Sequence, residues 1–370
     1  MDRTPYRATE RKSEVGTYRL AIMDGDGIGP EVIASVRAVL RVANTLEPEL
    51  ELTTIDLPIG FDAYVASGTT LPDATLAELE RCQGWILGPL TTHLYHGAAM
   101  PNPSAVLRKR YELFANIRPA RSFTGIAALR SDVDVVVVRE NTEGFYADRN
   151  LLDGTGELKP TPDTVMSVRV VTRRACERLA RVGFELARRR RSHVTLVHKA
   201  NVLRLGCGLF LETCRQVATE YPDVHVDDFH VDAFAMHLVM RPADFDVIVT
   251  TNLFGDVLSD VSAGLIGGLG LAPGLNAGDG RAMAQAVHGS APDIAGHGQA
   301  NPVASILSLS MLLDWLGTTH TDPAATRVGA RLWAAVETVL SAGKVKTPDL
   351  GGSANTADLT HAIVEAFQTA

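Results

Sequence analysis

The sequence predicts an α/β protein built on a largely parallel sheet, and three observations carry that reading. Short apolar runs rich in Val and Ile alternate with longer stretches of helical periodicity. Two of those runs end directly on a cation, Arg139 and Lys199, and strand C-termini are where open α/β sheets place ligands. Glycine-rich turns punctuate the chain, DGDGIGP after the first run and GLIGGLGLAPGLNAGDG at 264–280.

In order, Arg19–Met23 reads as a strand. A helix follows, with Pro30 in its first turn and Val32, Ile33, Val36, Val39 and Leu40 at helical spacing. Trp85–Leu87 is a buried strand and Ser104–Phe114 a helix. Val133–Val138 is the clearest strand of all. Tyr146–Thr164 lacks apolar pattern and reads as a protruding arm or long loop. Helices at Thr172–Arg190 and Cys207–Glu220 flank a strand at Val194–Val197. Asp246–Thr250 is a strand, Asp256–Gly264 a helix, and the glycine-rich stretch after it a turn region that could serve as a hinge. Helices at Val303–Leu316, Ala324–Leu340 and Thr356–Phe367 complete the chain, which contains no internal repeat.

The 370 residues carry 35 basic and 43 acidic side chains, a net charge of −8. With 46% apolar and 21% charged residues, disorder is excluded as the main state. The net negative field speaks against a nucleic-acid binder. The run Arg188–Arg191 does not alter this, because cations at the end of a helix oppose its dipole. Residues 1–17 mix charges without an apolar segment and read as a frayed tail. No run approaches the ~18 apolar residues of a membrane span. The four cysteines form no C-x-x-C pair, so buried thiols in a reducing cytoplasm are expected.

Five constellations carry chemistry. In TTNLFGDVLSD, Asp256 and Asp260 are four apart and share one helix face, where they repel unless a cation sits between them. Hard oxygen ligands of this kind suit Mg²⁺ or Mn²⁺, while a solvated acidic face is the plainer alternative. Asp232 opens an apolar helical segment and is either an N-cap or a third ligand. Arg108, Arg118 and Arg139 could clamp a small polycarboxylate with bidentate donors, or form ordinary ion pairs. Lys199 follows a strand directly and could act as a base, with Tyr146 as a weak acid; a surface lysine is the alternative. Finally, HGSAPDIAGHGQANP is a small-residue loop suited to an adenosine moiety, with an Asp to take ribose hydroxyls. In contrast, the Gly25–Gly29 cluster departs from the dinucleotide fingerprint G-x-G-x-x-G.

Taken together, GDGIGPEV, LRKRYELFANIRP, RENTEGFY, HKANVL, TTNLFGDVLSD and HGSAPDIAGHGQANP resemble, in order, the β-decarboxylating dehydrogenase family of isocitrate, 3-isopropylmalate, homoisocitrate and tartrate dehydrogenases. The resemblance runs from about Tyr18 to the C-terminus. It implies a two-domain fold with a large, mixed, mostly parallel sheet flanked by helices, distinct from the usual Rossmann domain. Residues 18–113 plus 267–370 would form the large cofactor-binding domain, and 114–266 the small domain with the dimer interface and arm. It further implies a homodimer or higher homo-oligomer with shared active sites. Arg108, Arg118, Arg139, Asn102 and Ser104 would bind the hydroxy-dicarboxylate or tricarboxylate substrate. Tyr146 and Lys199 would be the acid–base pair, and Asp232, Asp256 and Asp260 the Mg²⁺ or Mn²⁺ ligands, with Lys199 and Asp232 donated by the neighbouring subunit. Asn201, His288, Gly289, Ser290, Ala291, Asp293, Ile294 and Asn301 would contact NAD, the Asp293–Ile294 pair being the NAD-type pattern. The implied activity is NAD-dependent oxidative decarboxylation of a 2-hydroxy acid bearing a 3-carboxylate, isocitrate-like or 3-isopropylmalate-like, with a homoisocitrate or tartrate/malate-type dehydrogenase of the same family as the alternative. A non-catalytic regulatory subunit is the alternative from another class, and it would lack the Lys, Tyr or acids that are all present. Gln285 stands where the family often has Glu.

Overall fold

The computed structural model describes residues 16–95, 100–146 and 156–369. The elements run β1 Gly16–Met23, α1 Gly29–Leu46, β2 Leu50–Asp56, α2 Gly60–Ser67, α3 Asp73–Leu79, β3 Gly84–Leu87, α4 Pro103–Arg110, β4 Ala115–Arg121, β5 Asp134–Glu140, β6 Glu157–Thr161 and β7 Thr164–Ser167. They continue with α5 Arg173–Arg188, β8 His193–His198, α6 Gly206–Ala218, β9 His225–His230, α7 Val231–Met240, β10 Val247–Thr250, α8 Asn252–Ile266, β11 Leu275–Ala277, β12 Ala282–Ala284, α9 Val303–His320, α10 Pro323–Ala342 and α11 Thr356–Thr369.

Ten strands form one sheet in the order β2-β1-β3-β12-β11-β4-β5-β10-β8-β9. Its two flanks are parallel, β2-β1-β3-β12 on one side and β5-β10-β8-β9 on the other. They are joined by an antiparallel seam through β12, β11, β4 and β5. Of the parallel strands, β1, β3, β5, β8 and β10 are the apolar runs legible in the sequence. The seam strands were not legible, because β11 and β12 are three residues each and β4 (ANIRPAR) interleaves polar residues. Pro119 is tolerated inside β4 because β11 pairs only with residues 115–117.

Several boundaries differ from expectation. Gly16 and Thr17 belong to β1, paired with Leu50 and Glu51, rather than to a tail; residues 1–15 lie outside the described residues. The helix expected to reach Phe114 stops at Arg110. Glu112 takes a left-handed φ of 46°, which frees Leu113 and Phe114 to enter two different apolar clusters. Of the expected arm, 147–155 lies outside the described residues, and β6 and β7 pair as an exposed antiparallel hairpin. The glycine-rich turn region contributes β11, a central strand. β2, β9 and the short helices α2 and α3 were not anticipated.

Helices cover both faces of the sheet. α5 buries Ala175, Cys176, Leu179, Ala180, Gly183, Phe184 and Ala187, one stripe at helical spacing. Its Phe184 is fully buried, and truncating such a ring to Ala costs about 3–5 kcal/mol. α9 is buried on nearly every side, as its unbroken apolar run requires. One apolar cluster draws only on residues 114–249, a second on residues 21–113 plus Met283, and a third spans the sheet. The cationic run is structural: Arg188 pairs with Asp223, Arg189 with Asp314, and Arg190 and Arg191 with Asp134 and Asp246. All four cysteines are buried and unpaired. Among the described residues, no helix is long and apolar enough to cross a membrane.

Candidate active site

The antiparallel seam places two arginines side by side in the middle of the sheet. Asn116 and Arg118 are two apart on β4 and share a face, and Asn116 pairs in register with Arg139 of β5. α8 crosses this face closely. A Cβ on Gly255 would stand 2.6 Å from Arg139 Cβ, so only glycine lets the helix pass over the arginine stem.

Both guanidinium groups are buried and held by neutral partners as well as by charge. Arg139 donates from Nε and Nη2 to Asn252 Oδ1, at 3.1 and 2.7 Å, and pairs with Asp256. Arg118 donates to Asn116 Oδ1, to Ser259 Oγ at 2.7 Å and to Asp256 Oδ1 at 3.1 Å. Burial and the adjacent Arg139 charge push Arg118 down to about 10, against the pull of Asp256 and Asp260. Burial would raise Asp256, but Arg139, Arg118 and Arg108 hold it below the ordinary carboxylate range. Asp260 lies one turn on, 3.7 Å from Arg118. Its partial burial and the repulsion from Asp256 outweigh Arg118 and raise its pKa. Tyr146 donates to Asp256 Oδ2 at 3.2 Å, its ring 5.9 Å from the Arg139 guanidinium.

α4 faces this group across a cleft of about 330 Å³ lined by Asn102, Ser104, Arg108, Arg118, Arg139, Tyr146, Asp256 and Gln285, among others. Asn102 caps α4, accepting from the Ala105 N–H at 3.3 Å, with Pro103 in the first turn. Ser104 Oγ and Arg108 Nη2 both donate to Gln285 Oε1 at 3.0 Å. Gln285 thus ties the strand leading into the HGSAP loop to α4.

The expected adenosine loop is braced from beneath by the Gly25–Gly29 turn. Buried Asp26 accepts from the N–H groups of Phe61 at 2.8 Å and Thr91 at 2.7 Å and from the Tyr95 hydroxyl. Thr91 in turn donates to Ser290 Oγ at 2.7 Å, and Ile28 N–H to Ser290 O at 2.8 Å. Gly27, with φ of 58°, lets that oxygen approach to 2.1 Å of where a Cβ would stand. His288 Nδ1 lies 3.0 Å from Gly289 O, and its Nε2 is buried without a partner. Burial pushes the imidazole below its usual pKa, towards the neutral form. Ala291 adopts a left-handed φ of 37°, and Ile294 packs on the core. Asp293 is exposed, with no ion pair among the described residues. Asn301 is committed internally: its amide donates to Asp349 at 2.9 Å and accepts from Val303 N–H at 3.0 Å.

Lys199 and Asp232 stand elsewhere. Lys199 leaves the end of β8, where buried His198 is fixed by Asp228 at 3.0 Å and by the Ala200 N–H at 3.0 Å. Its ammonium pairs with Asp232 in the first turn of α7. That partner holds Asp232 below the ordinary range. Asp232 does not join Asp256 and Asp260 in a group whose ligand atoms all lie within 4.8 Å of one another in the chain. Asn201 is exposed on the turn after Lys199.

With this geometry in view, the sequence profile of the isocitrate/isopropylmalate dehydrogenase family matches residues 19–363. The chain belongs to that family. It is 44% identical over 353 residues to an isocitrate/homoisocitrate dehydrogenase of Thermus thermophilus, covering 95% of this chain and 99% of the relative. It is 42% identical over 348 residues to a 3-isopropylmalate dehydrogenase of Archaeoglobus fulgidus, covering 93% and 98%. The crystal structure of isocitrate dehydrogenase from Methylococcus capsulatus superposes with a TM-score of 0.84 at 43% identity, covering 95% of this chain and 99% of that one. The enzyme is therefore an oxidative decarboxylase of the isocitrate/isopropylmalate dehydrogenase family, with its mixed, mostly parallel sheet.

The donor set suits the groups that this family's chemistry requires. Asp256 and Asp260 offer two hard carboxylates one helical turn apart, and Asp260 carries a charge that Asp256 opposes; a divalent cation would relieve that. The orphaned His288 Nε2 and the braced small-residue loop suit a nucleotide. Sequence reasoning missed the buried amides Asn116, Asn252 and Asn276, which fix the arginines and each other, with Asn116 donating to Asn276 at 2.7 Å. The available signal was polar residues set within or directly after apolar strands.

Proposed function

We propose that this enzyme oxidatively decarboxylates an isocitrate-type 2-hydroxy tricarboxylic acid with NAD and Mg²⁺ or Mn²⁺. The observation that carries the substrate reading is the α4 end of the cleft. Ser104 and Gln285 meet there beside Arg108, a polar lining that favours a third carboxylate over an isopropyl group. The name of the Thermus relative, isocitrate/homoisocitrate dehydrogenase, agrees with this choice.

Arg108, Arg118 and Arg139 bind the substrate carboxylates. The asparagines behind Arg118 and Arg139 orient them beforehand, which reduces the cost of ordering them on binding. Asp256 and Asp260, joined by Asp232, hold the metal. Bound there, the metal would polarise the 2-hydroxyl and the developing enolate oxygen, and the nicotinamide would accept the hydride. Lys199 takes the hydroxyl proton, and Tyr146 returns a proton to C3 after CO₂ is lost. Asp293 accepts from ribose hydroxyls, and its charge disfavours a 2′-phosphate.

Lys199 and Asp232 reach the cleft of a second copy of the chain, so the active unit is a homodimer or larger. Exposed apolar residues on α7 and α8 support this reading: Met236, Val239, Met240, Leu253 and Val257 leave a face uncovered beside Asp232 and Asp256. The domain reading, with cuts near Leu113 and Ile266, finds support in the apolar cluster confined to residues 114–249. The buried thiols fit the cytoplasm.

The test is a panel of isocitrate, homoisocitrate, 3-isopropylmalate, malate and tartrate with NAD or NADP and Mn²⁺. The highest kcat/KM should fall on a tricarboxylate with NAD. A clear preference for 3-isopropylmalate, or for NADP, would contradict the reading.

A further inference from the structure

Strand pairing at the outer edge of the sheet gathers three metal-ligating side chains away from the cleft. His193 opens β8 and stands in register with His225, which opens β9. Asp227 lies two residues along β9 and shares the face of His225. Val194, Leu196 and Val226 turn to the opposite face and pack with α5 and α6. The alternation of the two strands thus fixes His193, His225 and Asp227 on one side.

The geometry is tight. His193 Nε2 is 3.2 Å from Asp227 Oδ1, and the two imidazole centroids are 4.9 Å apart. One ligand atom from each of the three lies within 4.8 Å of the others, the sole group of this kind among the described residues. His193 Nε2 and Asp227 Oδ1 are both buried and form an ion pair with one another. A tetrahedral ion with bonds of about 2.0–2.1 Å holds its ligand atoms about 3.3–3.5 Å apart. The His193–Asp227 separation already approaches that value, and His225 is exposed and can swing inward. The neighbouring cation, Arg191, is turned away to Asp134 and to the Phe245 carbonyl.

Two imidazoles and one carboxylate form a borderline nitrogen–oxygen set that suits Zn²⁺ and its neighbours rather than Mg²⁺. We propose that His193, His225 and Asp227 form an accessory site for one transition-metal ion of the Zn²⁺ type, which ties edge strand β9 to β8. The ion is structural. Six residues of extended strand, about 20 Å, separate His193 from Lys199, so the site is independent of the cleft and of the acids assigned to it.

The test uses the full chain, stripped with chelator and titrated with ZnCl₂ in excess Mg²⁺ so that the cleft carboxylates are taken by the harder ion. Bound zinc is counted by calorimetry and by metal analysis after gel filtration. The wild type should hold one more zinc per chain than His225→Ala and than Asp227→Asn. Cobalt should give a visible absorption band that both variants lose, while their Mg²⁺-supported turnover stays at the wild-type rate. The proposal is overturned if His225→Ala binds as much zinc as the wild type, or if the wild type binds none under excess Mg²⁺.

Discussion

Arg118, Arg139 and Asp256 lie at the centre of the sheet, whereas Lys199 and Asp232 lie towards its outer edge, where β8, β9 and α7 meet. The central arginines are enclosed: Arg139 is 3% exposed and each of its guanidinium nitrogens has a partner within the chain, while Asp256 opens partly to solvent. At the periphery Asp232 is 67% exposed and pairs with Lys199, which is itself 24% exposed. In the proposed site, parts with different structural obligations come together. The central half is already oriented in a single chain. Asp232 is presented outward, as the proposed site shared between two copies requires.

Substitutions at the two places should therefore behave differently. The largest expected effect is that of Asp256→Asn. It removes the counter-charge of two buried arginines together with a proposed metal ligand. Turnover should fall by roughly 10³-fold or more, and urea unfolding should show a loss of about 2 kcal/mol, the usual cost of breaking a buried pair discounted because Asp256 is partly open to solvent. Lys199→Ala should also reduce turnover, by about 10²–10³-fold as for a lost general base, yet leave the unfolding midpoint and Mn²⁺ affinity near wild type. Equal destabilisation by both variants would erase the contrast.

A smaller effect sharpens the picture on the α4 side. Gln285→Glu places a carboxylate beside Arg108 Nη2, where it competes with the substrate. Its KM should rise by roughly tenfold, about 1.4 kcal/mol, with a lesser change in kcat. A different effect, on stability alone, lies behind the central half. Glu143 is buried near Glu140 and accepts from the Thr172 N–H at 3.0 and 3.2 Å and from its hydroxyl at 2.9 Å. Burial and the Glu140 charge push it up to about 7. The folded protein then holds a proton that the unfolded chain has released. Stability should thus fall as pH rises from about 5 to about 7 and level off above, by up to about 3 kcal/mol. Glu143→Gln should flatten that slope in urea titrations.

The sequence made the inner strands of the parallel flanks legible, because buried strands such as 133–138 and 194–197 are mostly apolar, while the outer strands β2 and β9 carry polar, exposed residues. It concealed the antiparallel seam, because β4 alternates polar and apolar residues and β11 and β12 are too short to show a period. The arginines were visible as residue types, and their convergence was visible only through family resemblance. Asn252 and Gln285 were not assigned their partners, since side-chain amides carry no signature until the strands that bring them together are known. The metal-like grouping of His193, His225 and Asp227 was likewise invisible, because it depends on register between two strands 32 residues apart.

The central claim is that each site joins Asp256 of one copy to Lys199 of another. The most direct measurement combines two inactive chains, Lys199→Ala and Asp256→Asn, denatured together in equal amounts and refolded. Random pairing makes half of the dimers mixed, and each mixed dimer contains one intact site, so activity should return to roughly a quarter of wild type. If every site draws both residues from the same chain, no mixture regains activity, and that result would contradict the account.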